Sequence, residues 1–494
     1  MTSKTFTSGT TIDSAWLNDV NSATYSGGAV YTPGGAGRVP TTVQSKLRES
    51  VSVKDFGAVG DGITNDSVAI QAAITYAQTI GAGVFLPAAT YYCGSTGLLI
   101  TASIHLYGSN GATLSFASGF SGTALSVNAT YVKLSDFVIS GPTSVSIPSV
   151  NAVGIDVLQA HCVISKVRVI SSGGLTYQAF SQGARLAQWS HLVTGCTITG
   201  HLYGINSNVA NAVNIHGTGC SAADTVGGAG ILMNGGSGNS IQQCDIEGSS
   251  FAGIYLSDGG TAGSGHGSCA ISGCYIESQT SANIYILGTA GPGKNVSGVS
   301  ITGCYLSGTS TTLTGIQSNR TAGLCITGNE IIGQVTNSIN IGSISLNCFV
   351  AGNDITGSVA AFVNAAATGF IDTAGGTTTP VAWTPIDSSG AALTFTSPVG
   401  TYTRLGKMIF WNCALLYPVT ADGSNSLIGG LPFTIPAGTQ NRGGLTVLTD
   451  ATTTTMAMQV DGTTTIRPYK NGLVRAINSD LSNKTLYLSG SFSL

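Results

Sequence analysis

Two stretches thirty residues apart, CDIEG (244–248) and CYIES (274–278), each place a glutamate three residues after a cysteine. Two carboxyl groups held at related positions can divide the work of a general acid and a general base, provided their surroundings push their proton affinities apart. Asp245 lies two residues before Glu247, and Tyr275 stands at the matching place before Glu277. Further tyrosines recur nearby: Tyr305 in CYLSG, Tyr255 in GIYL and Tyr285 in NIYI. Flat phenol rings beside a carboxyl pair suit pyranose rings, and the chemistry such a set points to is glycoside hydrolysis. The candidate catalytic residues are therefore Glu247, Glu277 and Asp245. The candidate substrate-binding residues are Tyr275, Tyr305, Tyr255 and Tyr285. No metal site and no cofactor are expected.

Whether these residues meet depends on the element that carries them. Both stretches belong to a repeat, apolar-x-small-(Cys/Asn)-x-(Ile/Leu)-x-Gly, whose fourth residue is Cys196, Cys244, Cys274, Cys304, Asn329 or Asn353. Phe137 and Val167 extend it upstream, and Cys220 fits the spacing without the isoleucine. The intervals from 137 to 353 are then 30, 29, 24, 24, 30, 30, 25 and 24 residues. A second short strand follows once per interval, as in GIDV, GILM, GIYL and NIYI. Two or three strands per interval, joined by Gly/Ser/Asn turns, describe one coil of a parallel β-solenoid. Like positions in such a solenoid stack about 4.8 Å apart. The cysteine and isoleucine positions share a parity and point inward, so the cysteines form a packing column rather than a metal or redox site. Positions one and three after the ladder residue point outward. Glu247 and Glu277 are then stacked neighbours, Asp245 and Glu277 lie on a diagonal, and Ser221 falls in the column of Asp245. Tyr275 and Tyr305 form an aromatic step, and Tyr255 and Tyr285 are stacked on the second strand.

Composition fits this architecture. The chain has 494 residues with 69 glycines, 42% apolar and only 8% charged residues, and a net charge of −3. That balance excludes disorder and lacks the basic footprint of a nucleic-acid binder. The first twenty residues contain no apolar run of a secretory signal, and no apolar stretch approaches transmembrane length, so no membrane insertion is expected. The eleven cysteines follow no disulfide or zinc spacing and are expected to be free and buried.

Before the repeats, residues 66–80 read as a helix. Asn65 or Asp66 can cap it, Ile70, Ala73, Ile74 and Ala77 follow a helical period, and Gly81 can end it. The stretch DFGAVGDGITNDSVAIQAAI (55–74) closely resembles the opening of the pectate-lyase-like right-handed β-helix of bacteriophage tailspikes. Residues 9–28 and 42–58 also look like the virion-attachment head and neck of that group. Asp55, Asp61 and Asp66 are turn and cap residues in this reading. After residue 373 the repeat stops in a Thr/Pro-rich stretch. Beyond it Ile409, Trp411, Cys413 and Leu415 alternate as in an antiparallel sheet, resembling the C-terminal domains of tail fibres and spikes.

The expected architecture is an all-β right-handed parallel β-helix over 46–373, closed by its capping helix. An attachment head at 1–45 precedes it, and a sandwich-like β-domain at 374–494 follows. The resemblance implies a homotrimer, a phage tail or baseplate as partner through the N-terminal region, and a place on the virion acting at the host surface. It also implies a bacterial surface polysaccharide as substrate. A receptor-binding fibre without catalysis is the alternative, with Asp156, Asp258, Glu330 or Asp354 available for contacts between chains. A lyase ranks lower, because only Lys294 and Arg320 offer a basic group near the groove. GHG (265–267) reads as a glycine-rich turn.

Overall fold

The structure, a computed structural model, describes residues 14, 15, 17, 18, 20, 29–141, 152–171, 180–222, 228–259, 265–289, 296–309, 312–342, 345–357, 360–364, 369–371, 381–405, 408–431, 456–459, 465–470 and 474–493. Most of the first 45 residues and the stretch 372–380, on which the head and the domain boundary at 373 fall, lie outside the described residues.

Three strands make a typical coil, and in one coil strands b and c run together as Thr197–Asn208. Strand a belongs to a 14-stranded sheet, and strands b and c belong to a 22-stranded sheet. In one coil they are His266–Ser272, Tyr275–Glu277 and Ala282–Leu287. All pairings between coils are parallel, as in His266↔Val296, Tyr275↔Tyr305 and Ala282↔Thr314. This is the right-handed parallel β-helix expected from the repeat.

Alternation along each short strand sends every second side chain inward, and coil stacking turns those side chains into columns. On strand a one unbroken apolar column runs Val84, Leu106, Leu134, Ile164, Val193, Ile215, Ile241, Ile271, Ile301, Ile326 and Val350. Every member is buried, and each is worth about 1.5–3 kcal/mol of apolar burial. The cysteine column lies at the corner between strands a and b. Cys196, Cys244, Cys274 and Cys304 are buried and free, and each thiol donates to the carbonyl two residues back. Asn329 and Asn353 continue the column, linked by a side-chain bond of 2.9 Å.

One register differs from the expectation. Cys220 pairs with Ile198 and Ile246, so it occupies the isoleucine column. The cysteine slot of that coil holds Thr218, fully buried, whose hydroxyl donates to the carbonyl of His216 two residues back, as the thiols do. Gly217 makes the left-handed corner before it, with φ 55.

The helix spans Ser67–Ile80, buries Ile70, Ala73, Ile74 and Ala77, and ends at Gly81 with φ 68. Asn65 accepts from the Ser67 amide, the local side-chain bond of a helix start. Asp66 turns away and accepts from the amides of Val59 and Gly60, while Asp61 accepts from those of Ile63 and Thr64. Asp55 closes a capping box with Ser52. All three aspartates are thus structural.

Beyond residue 380 the sheets are antiparallel. Strands Val381–Trp383, Thr396–Leu405, Met408–Leu416 and Thr485–Ser493 form one sheet whose inner face carries Ile409, Trp411, Cys413 and Leu415, all buried. Among the described residues no helix is long and apolar enough to cross a membrane.

Candidate functional site on the outer face of strand b

The outward positions of strand b form two parallel columns. The first runs Arg168, Thr197, Gly219, Asp245, Tyr275, Tyr305, Glu330 and Asp354. The second holds Glu247, directly paired with Glu277, which pairs in turn with Ser307. The carboxylates that share the short repeat are therefore side by side on adjacent coils, about 4.8 Å apart along the ladder.

Glu277 is oriented by Tyr275, whose hydroxyl donates to Oε2 at 2.5 Å. The bond pushes the Tyr275 phenol up to about 12. Tyr305 lies parallel on Tyr275, with centroids 5.1 Å apart and an interplanar angle of 5°, which fixes the ring that holds the carboxylate. Partial burial, then the charges of Asp245 and Glu277, raise Glu247 above the ordinary carboxyl value. A buried amide supports both strands from beneath. Gln279 donates to the carbonyls of Ile246 and Glu277 and accepts from the Ser249 amide.

Beside this pair lies a groove of about 430 Å³, lined by Thr197, Thr199, Gly219, Ser221, Asp245 and Glu247 among others. Gly219 is its floor, because the outward column has no side chain there. Gly219 rather than Ser221 stands next to Asp245, a consequence of the shifted register. Neither Thr197, Thr199 nor Gly219 was marked by residue chemistry. The signal lay in Ile215, three residues before Thr218, as Ile241 is three residues before Cys244.

The other candidates fall elsewhere. Tyr255 and Tyr285 are paired on strand c, but their rings meet edge to face at 80° rather than stacking, and both contact Phe251. Asp156 is buried in a two-pronged pair with Arg185, at 2.8 and 2.5 Å. Asp258 is buried and accepts from the amide and hydroxyl of Thr289. Neither is exposed for a contact between chains. Glu330 and Asp354 are exposed and paired on the far coils. GHG is not a turn: His266 starts a strand a, is fully buried, and is pushed down to about 4 by desolvation. Lys294 lies outside the described residues, and Arg320 follows strand c rather than strand b.

Residues 50–337, more than half of the chain, match the family described as rhamnogalacturonase A/epimerase, pectate lyase-like. Two mannuronan C5-epimerases of Azotobacter vinelandii are similar over short stretches. AlgE1 is 47% identical over 64 residues, 12% of this chain and 5% of that protein. AlgE5 is 58% identical over 41 residues, 8% of this chain and 4% of that protein. The chain thus spans about one-twentieth of the length of these curated relatives. Among solved structures, the Dettilon tailspike protein aligns over 91% of this chain and 95% of its own, with a TM-score of 0.51 at 13% identity. That likeness is one of fold. With the β-helix in place and the family match covering most of its coils, the chain belongs to the rhamnogalacturonase A/epimerase family of pectate-lyase-like proteins.

Proposed function

We propose that this chain is a bacteriophage tailspike that binds and depolymerises a bacterial surface polysaccharide by acid–base glycoside hydrolysis. The observation that carries the reading is the direct pairing of Glu247 with Glu277, one carboxyl raised in proton affinity and the other held by a tyrosine hydroxyl. Glu247, protonated, gives its proton to the glycosidic oxygen as the bond to the anomeric carbon breaks. Glu277, the tyrosine-held carboxylate, attacks that carbon from the opposite side. In the second step Glu247 takes a proton from water, and the water oxygen displaces Glu277. Adjacent-coil spacing is close to the roughly 5–5.5 Å that a retaining pair needs. Asp245, on the diagonal to Glu277, raises Glu247 further and borders the groove.

Lyase or epimerase chemistry, which the names of relatives also bring up, needs a proton acceptor facing the sugar. Tyr275 is the phenol in place, and its bond to Glu277 makes it a weaker acid and a poor base precursor near neutrality. In this reading residues 1–45 attach the spike to the phage tail or baseplate, 46–373 carry the glycan face, and 374–494 help assemble a homotrimer on the virion.

The test is cleavage of purified host surface polysaccharide followed by reducing ends and by ultraviolet absorbance of unsaturated products. Reducing ends without unsaturation, abolished by Glu247→Gln and by Glu277→Gln while polymer binding persists, are expected. Unsaturated ends would transfer the site to a lyase, and binding without any cleavage by the unsubstituted protein would leave a receptor-binding fibre.

A further inference from the structure

A second outward column lies at the corner between strand c and the next strand a. Three residues before the apolar-column residue of strand a, the backbone turns through the left-handed region, and from the coil of Leu134 onward successive coils place Tyr131, His161, Ser190, Ala212, Gly238, Ser268, Gly298, Gly323 and Asn347 there. Left-handed backbone favours glycine and tolerates asparagine, while bulky side chains rarely adopt it. Most coils obey that preference with small residues. Two adjacent coils place rings there, Tyr131 at φ 57 and His161 at φ 60; the region tolerates histidine, so the departure is that of Tyr131.

The rings are not folded into the core. Tyr131 is 66% exposed and Trp189, two coils on, 49% exposed. Tyr131 and His161 stack at 4.9 Å with 5° between planes, and Trp189 meets His161 edge-on at 6.4 Å and 88°. The matching position on the coil before Tyr131 is Ser103, set by the pairing of Lys133 with His105. Its hydroxyl is tied to the Tyr131 carbonyl at 3.1 Å. No side chain larger than serine therefore covers the outer face of the Tyr131 ring at that position. On the far side Trp189 bridges Asn211 of the following coil, so a short polar side chain stands beyond it. Strain retained at an exposed ring cluster, where glycine would serve the turn better, points to use rather than packing.

We infer that Tyr131, His161 and Trp189 form a glycan-binding platform separate from the carboxylate pair, which takes two pyranose rings of a polysaccharide chain by stacking. Flat, exposed rings with polar edges suit a ligand whose faces are C–H and whose rim is hydroxyl. The surroundings, Ser103, Gln188, Ser190 and Asn211, are polar, which fits a sugar better than the continuous apolar centre of a stable interface between copies. Anchoring the polymer at one corner while strand b holds another part raises the local concentration of glycan at the face that carries Glu247 and Glu277. The platform does not depend on those residues being catalytic.

The experiment uses the full chain and an array of purified bacterial capsular and lipopolysaccharide glycans, then calorimetric titration of one bound polymer, a readout that survives removal of Trp189. Tyr131→Gly places the residue that the left-handed corner prefers, and Trp189→Ala removes an exposed ring. Neither is expected to lower the thermal midpoint, and each should weaken polymer binding roughly tenfold or more. The same loss is expected in a Glu247→Gln, Glu277→Gln background, which separates this claim from the catalytic one. Unchanged affinity, absence of any glycan binding by the unsubstituted protein, or a change in oligomeric mass on substitution of Tyr131 or Trp189 would each overturn the platform.

Discussion

Gly219 offers a substitution that tests the groove without touching a carboxylate. It lies extended on strand b between Thr197 and Asp245 in the outward column. A Cβ added there meets only the carbonyl oxygens of Asp245 and Cys196, both at 4.0 Å, an ordinary contact. Gly219→Leu therefore strains nothing, and by removing the freedom of a glycine from the unfolded chain it adds about 0.5–1 kcal/mol of stability. Its side chain points into the 430 Å³ groove beside Asp245 and Glu247. Displacing a bound sugar by about 1 Å costs on the order of a hundredfold in rate, so kcat/KM on polysaccharide should fall at least that far while the thermal midpoint holds or rises. Gly219→Ala, with one methyl on the groove floor, should lie between. A control comes from the inward glycines of strand c. A Cβ at Gly253 would stand 2.5 Å from Ile276 Cγ2 and 2.8 Å from the Asn283 carbonyl, so Gly253→Ala should lose about 1–3 kcal/mol by overpacking. Reducing-end kinetics and thermal melts on the three variants decide the matter. Full activity in Gly219→Leu would show that no substrate uses the groove.

Glu247 works as an acid only while protonated, so activity should fall as pH rises through its raised pKa, a limb that a pH series of initial rates will show. A carboxyl raised in the folded state contributes stability below its unfolded value, near 4.5, and that contribution is lost as pH rises through the folded value. Glu247→Gln should therefore leave the melting midpoint at neutral pH equal or higher, and a marked loss there would contradict the burial and repulsion assigned to it. The eleven free cysteines supply a test of the packing column. Cys325 alone is partly exposed, and burial pushes a thiol such as Cys269 up to about 12. A thiol reagent should modify about one cysteine per native chain and the others only after denaturation, whereas rapid native modification of several would dismantle the buried column.

Much of the β-helix was legible because its rules are local. A period-2 strand, a left-handed corner and an inward thiol or amide recur with each coil, so the motif around Cys244 also placed Cys274, Cys304, Asn329 and Asn353. The Glu247–Glu277 pairing followed from the same arithmetic. Orientation within a column was less legible, since it depends on neighbours that no motif names. Phe251 turns Tyr255 and Tyr285 edge to face, while Tyr275 and Tyr305 remain parallel. His266 was misread because two flanking glycines resemble a turn. Its ring instead fills an inward position of strand a, where neither nitrogen has a hydrogen-bond partner among the described residues, a costly arrangement that composition gives no reason to expect.

The register at HGTGC (216–220) shows how a small ambiguity in sequence becomes a feature of the site. Gly217 and Gly219 each stand one residue before a plausible ladder residue, Thr218 or Cys220. The cysteine column and regular intervals of 24 and 24 residues favour Cys220. The structure chooses Thr218, because Ile215 must stack on Ile241 and Val193 in the apolar column of strand a. A shift of two residues preserves which side chains point inward, so the core accepts either frame, and only the longer-range column separates them. What the shift changes is outside. It moves Gly219, with no side chain, into the place beside Asp245 that Ser221 would have held, and so opens the groove at the carboxylate pair. A variant that restored the naive frame, Thr218→Gly with Cys220 left in place, would have to pull Ile215 out of its column. It should therefore destabilise the coil rather than re-register it, and hydrogen exchange confined to residues 214–222 would reveal local opening without loss of the neighbouring ladders.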